Sequence, residues 1–167
     1  MAIREIAVQR FSLTSKKAVQ EIIAALEKHI SRPDMAVFGK QTAAAKNYSE
    51  LEQMINASVG QAGLMEFIRF DLGEFLRKAT GASSPQIVRL VAGNPLIMKR
   101  MVEHVPDAGS YAPVTILIDE REDGTHVSYD RMASFLAPYG NPQALEVAKD
   151  LDAKVEALLA AAAADEK

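Results

Sequence analysis

No cysteine occurs among the 167 residues. That excludes disulfides, thiol catalysis and cysteine-type zinc sites together, and it fits a reducing compartment. No segment approaches about 18 uninterrupted apolar residues, so no membrane span is expected. The opening MAIREIAVQRF carries charge where a signal peptide needs an apolar run, which points to a cytoplasmic protein. A basic excess is missing as well. The net charge is −3, and Lys16-Lys17 and Lys99-Arg100 are short pairs that read as solvated helix faces. Nucleic acid is therefore not an expected partner, since its binding needs a concentrated basic surface. There is no G-x-G-x-x-G, no Walker lysine and no H-E-x-x-H spacing, and His29, His104 and His126 stand far apart. No metal and no cofactor is expected.

What is present is an ordinary soluble composition, 49% apolar and 25% charged, in a chain long enough to bury a core without staples. One domain over 1–167 is the simplest organisation. AIREIAVQRFS reads as a strand. Thr14 or Ser15 then offers an N-cap, with Val19, Ile22, Ile23, Leu26 and Ile30 at helical spacing behind it. MAVFGKQ reads as a second strand. Ser49 and Glu52 suggest a capping box for a helix over YSELEQMINASVG. LMEFIRFDLG reads as a strand, and GEFLRKATG is ambiguous between strand and helix. QIVRLVAGNP runs from a strand into the helix PLIMKRMVEHV. VTILIDE and THVSYD form a hairpin, RMASFLAPYG a short helical turn. Asn141 and Pro142 open a last helix, whose stripe of Ala148, Leu151, Val155, Leu158 and Ala162 docks on the sheet or pairs with another subunit. The mixture predicts an α+β class with a mostly antiparallel sheet.

Three stretches carry chemistry-bearing residues. In AGNPLIMKR, Gly93 supplies a strand-to-helix turn, Asn94 caps the helix and Pro95 fits its first position. A glycine ahead of a helix also brings backbone N–H groups within reach of a phosphate. In DEREDGTHVSYD, Asp123-Gly124 reads as a two-residue type I′ turn, pairing Asp119 with Ser128 and Arg121 with His126. Alternation then puts Leu117, Asp119, Arg121, His126, Ser128 and Asp130 on one face, and Ile116, Ile118, Glu120, Val127 and Tyr129 on the other. The shared face is either a set of cross-strand polar pairs or a site with His126 as general base oriented by Asp119 or Asp130. Ser128 has no evident oxyanion hole, because it lies inside a strand, and no G-x-S-x-G elbow exists. In RFDLGEFLRK, Arg69 and Asp71 lie two apart on one face, placed to bind a polar ligand or each other. Asn94, His126, Ser128, Asp119, Arg69 and Asp71 are thus the candidate ligand-binding residues.

The run GNPLIMKRMVEHVPDAGSYAPVTILIDEREDGTHVSYDR resembles the domain of unknown function 302. Gly93-Asn94-Pro95, Ala112-Pro113, the apolar strand Val114 to Ile118, Asp123-Gly124 and Val127-Ser128-Tyr129 carry the resemblance. It covers residues 87–132 well and 3–41 more loosely. It leaves 42–86 as a longer insert, with the last helix at about 142–164. The resemblance implies a TATA-binding-protein-like arrangement, helices packed on one face of an antiparallel sheet, and a homodimer. It implies no established activity. The expected function is a homodimeric domain that binds a small molecule or a partner without established catalysis. The alternatives are a small enzyme using His126 and a structural self-association module built on the last helix.

Overall fold

The computed structural model describes residues 3–164. Among them, five strands form one sheet: β1 (Arg10–Ser15), β2 (Met65–Asp71), β3 (Ile87–Gly93), β4 (Val114–Arg121) and β5 (Gly124–Asp130). Their order is β1-β5-β4-β3-β2, and all four ladders are antiparallel. Alternation explains the two faces. Val88, Leu90, Ile116, Ile118, Val127 and Tyr129 point inward and are buried, while Arg89 and Thr115 are exposed on the outer face.

Among the described residues seven α-helices accompany the sheet: α1 (Val19–Glu27), α2 (Met35–Ala44), α3 (Tyr48–Ser58), α4 (Gly73–Thr80), α5 (Pro95–Val102), α6 (Met132–Leu136) and α7 (Pro142–Ala163). α1 buries Val19, Ile22, Ile23 and Leu26 against the inner face. The α7 stripe Ala148, Leu151, Val155, Leu158 and Ala162 is buried in the same core, so this helix docks within its own chain. α5 and α6 pack on α7. The result is the expected α+β fold, an antiparallel sheet with helices on one face.

Several local expectations are corrected. MAVFGKQ is helix α2, not a strand. Asp34 Oδ1 accepts the N–H groups of Ala36 and Val37 at 2.8 and 3.0 Å, and this cap outweighs the strand preference of Val37 and Phe38. β1 begins only at Arg10; residues 3–9 form no strand, and Val8 stands exposed with no ladder to join. α1 is capped by the reach of Glu21 back to the Ala18 N–H (2.7 Å), not by Thr14 or Ser15. α3 is capped two residues ahead of Ser49, because Asn47 accepts the Glu50 N–H (2.9 Å) while Glu50 accepts the Lys46 N–H. GEFLRKAT resolves as helix α4.

The hairpin register also differs. Arg121 pairs with Gly124, Asp119 with His126 and Leu117 with Ser128. Among the described residues no non-glycine has a positive φ, so Glu122-Asp123 makes the turn and Gly124 takes the left-handed conformation at φ 134°. A Cβ on Gly124 would lie 2.6 Å from the Ser15 carbonyl oxygen. The pairing moves by two residues, an even number, so every side chain keeps its face.

Candidate functional site

Sequence around Gly93-Asn94-Pro95 builds an apolar cleft. The ladder between β2 and β3 slips between Glu66 and Ile68, which leaves Phe67 as the extra residue of a bulge. Gly93 keeps the adjoining backbone bare, since a Cβ there would press on Pro113 at 3.2 Å and on the Phe67 ring at 3.4 Å. Asn94 Oδ1 accepts the Leu96 N–H (2.8 Å) and its Nδ2 donates to the Gly63 carbonyl (2.9 Å), so the cap of α5 is tied to the chain ahead of β2. Pro95 follows at the first helical position, as expected. Together these features open a cleft of about 590 Å³ between β3, α5 and the segment entering β4. Ile68, Val91, Ile97, Met98 and Val102 line it, and no charged side chain does. Met101 also lines it, and its unbranched thioether side chain, like that of Met98, fills irregular shapes.

A second cleft, about 340 Å³, lies on the outer face of the sheet. Arg10 grips Asp130 with two bonds of 2.6 and 2.9 Å. The guanidinium holds the Asp130 carboxyl below its ordinary range, its hydrogen bond contributing most. Tyr111 stacks on Phe135 with centroids 4.8 Å apart, and its hydroxyl meets that of Tyr139 at 2.9 Å. Arg89, Thr115 and Ser128 complete the polar wall.

The candidate residues divide between these places. Asn94 lines the apolar cleft and Ser128 the polar one. Asp119 and His126 are direct cross-strand neighbours, yet their side chains turn to other partners. Asp119 takes Arg121 Nε at 2.5 Å, and His126 Nε2 meets Asp123 at 2.8 Å. Asp130 is held by Arg10. Neither expected orienting carboxylate therefore hydrogen-bonds to His126, and His126 lines neither of the two clefts. Arg69 and Asp71 do not meet each other. Arg69 binds Glu66 (2.6 and 3.0 Å) and Glu27 (2.7 Å), while Asp71 binds Arg77 at 2.6 Å. Among the described residues no group of three or more His, Asp or Glu side chains is arranged to hold a metal ion.

Two buried carboxylates escaped the sequence reading. Glu66, buried in β2, is gripped by Arg69 and lies 3.3 Å from Arg32 Nε. Asp152, fully buried in α7, accepts the Tyr129 hydroxyl (2.6 Å) and the N–H groups of Met132 (2.7 Å) and Ala133 (3.0 Å). The available signal was spacing. Asp152 falls four residues after Ala148 and three before Val155, on the buried side of the helix.

Comparison with known proteins places this geometry. No curated protein matches the sequence. Among solved structures, the chain is similar to the crystal structure of the uncharacterized conserved protein DUF302 from Bacillus stearothermophilus. The TM-score is 0.64 at 16% identity, covering 92% of this chain and 97% of that one, a likeness of fold. No helix among the described residues is long and apolar enough to cross a membrane. The sequence itself matches the domain of unknown function DUF302 over residues 39–162, which includes Gly93-Asn94-Pro95, strands β2 to β5 and the Asp152 anchor, and the chain belongs to that family.

Proposed function

We propose that the chain is one homodimeric, cytoplasmic domain that binds an apolar small molecule in the cleft beside Gly93-Asn94-Pro95. The observation that carries this reading is a roughly 590 Å³ cleft with a wholly uncharged lining. Such a volume falls in the range of small-molecule sites, where apolar walls supply affinity and a few polar groups set orientation. Asn94 acts here through structure, because its amide is spent on Leu96 and Gly63 and shapes the cleft mouth. Binding without catalysis is favoured because His126 meets neither Asp119 nor Asp130. Self-association is supported by apolar side chains displayed on α4 and the adjoining edge strand β2. Phe75 is 74% exposed and Leu76 46%, with Ile68 and Phe70 of β2 also exposed, and a second copy of the chain would take these groups out of water.

Titration of the protein with the neutral dye Nile red tests the cleft. Wild type should bind with a fluorescence rise, and Ile97→Trp, which fills the cleft, should lose it. Equal binding by a folded Ile97→Trp protein overturns the reading. Light scattering tests the dimer: Phe75→Asp should yield a monomer, and an unchanged assembly, or a monomeric wild type, counts against it.

A further inference from the structure

We infer that the ligand is amphipathic: an aliphatic chain seated in the apolar cleft and a single carboxylate held outside it by Arg89. This rests on the apolar-cleft reading above and adds a head group to it. The two clefts adjoin. Val114 lines both, and Val91 of the apolar cleft is the direct cross-strand partner of Thr115 of the polar one. Arg89 lies two residues before Val91 on the same outer face, about 7 Å along the strand. A chain buried at Val91 therefore leaves its head beside Arg89.

Charge selects the head. The apolar cleft offers no charged side chain. The polar cleft is lined by Arg10, Arg89 and Asp130, and Arg10 and Asp130 neutralise each other through their paired bonds. That leaves Arg89. It makes no ion pair among the described residues; its nearest polar partner is Thr115 Oγ1 at 3.5 Å, and it lies 5.9 Å from the Phe70 ring centroid. One uncompensated guanidinium beside an apolar channel matches one carboxylate, which it can hold with two parallel hydrogen bonds. Thr115 stands ready to donate a third from its hydroxyl.

Calorimetric titration of the full chain with decanoate below its micellar concentration and with decanol below its solubility limit separates the two ideas. Decanoate should bind about tenfold or more tightly than decanol, as a charge-assisted pair requires. Arg89→Gln should abolish that preference while leaving decanol affinity unchanged. Equal affinity for both probes in wild type, or a preference that survives in Arg89→Gln, overturns the carboxylate assignment and leaves the apolar cleft standing. Failure of both probes to bind overturns the cleft reading and this inference together.

Discussion

The two faces of β5 treat the same side-chain chemistry in opposite ways. On the inner face, Tyr129 meets Asp152, a carboxylate with no exposed surface, which also collects the first two N–H groups of α6. On the outer face, His126, Ser128 and Asp130 sit among arginines and water, and each carboxylate is matched by a neighbour such as Arg10 or Arg121. The inner carboxylate joins β5, α6 and α7. The outer ones join only what the strand register already holds together. A buried charge is expensive unless every lone pair is used, whereas an exposed pair contributes little because water competes for it. The difference separates an architectural group from a surface free to serve a ligand.

Breaking the inner side should have the largest effect. Asp152→Ala takes the acceptor from the buried Tyr129 phenol and from the Ala133 N–H, and leaves the Met132 N–H only its longer bond to the Tyr129 oxygen (3.2 Å); it should cost about 3 kcal/mol or more in urea unfolding. Asp152→Asn keeps one acceptor oxygen and should lie between. A loss below about 1 kcal/mol for the alanine variant would remove the architectural role. Gly124→Ala comes next, at about 1–3 kcal/mol, because its Cβ must meet the Ser15 carbonyl at a positive φ. A neutral result would show that the hairpin shifts register without penalty.

Tyr129 sharpens the same comparison through pH. Burial pushes its phenol well above the ordinary value near 10, and the Asp152 carboxylate adds to the shift. The folded state therefore keeps this proton at a pH where the unfolded chain has released it. The resulting stability is fully present below about pH 10 and is lost as pH rises beyond it, by about 1.4 kcal/mol per pH unit. Tyr129→Phe should cost about 1–2 kcal/mol at neutral pH through the lost hydrogen bond. Its deficit relative to wild type should narrow above pH 10. Parallel alkaline unfolding curves for the two proteins would contradict the shift.

Much of this contrast is legible in the sequence. Alternation assigned Asp119, His126, Ser128 and Asp130 to one face and Tyr129 to the other, and a register error of even size could not disturb it. Gly93-Asn94-Pro95 and Asn141-Pro142 were legible because caps are local chemistry. Failures arose where a local signal competed with a longer-range one. MAVFGKQ has strand-forming residues, yet Asp34 two positions before Ala36 starts a helix whose faces bury no residue fully. Residues 3–9 look like a strand, but the ladder with β5 starts only at Arg10. The clefts were not legible, since they depend on the Phe67 bulge and on where β3 meets the entry to β4. Nor does strand spacing tell which partner a long side chain selects, which is why His126 and Asp123 were not paired from sequence.

The outer face should yield the smallest effect. Arg10 holds the Asp130 carboxyl below its ordinary range. A depressed folded value means that the pair's contribution is present above the unfolded value near 3.8 and fades as pH falls through the folded one. Arg10 is 62% exposed and Asp130 32%, so solvent screening keeps the contribution under about 1 kcal/mol. Asp130→Asn should therefore shift the urea midpoint only slightly at neutral pH, and the two proteins should converge as pH falls through the depressed folded value, below which both lack the charge. The same substitution frees Arg10 inside the polar cleft, giving it two uncompensated guanidinium groups instead of one. Decanoate affinity should rise while stability barely moves. An outer-face change that altered stability as much as Asp152→Ala would erase the distinction between the two faces of β5.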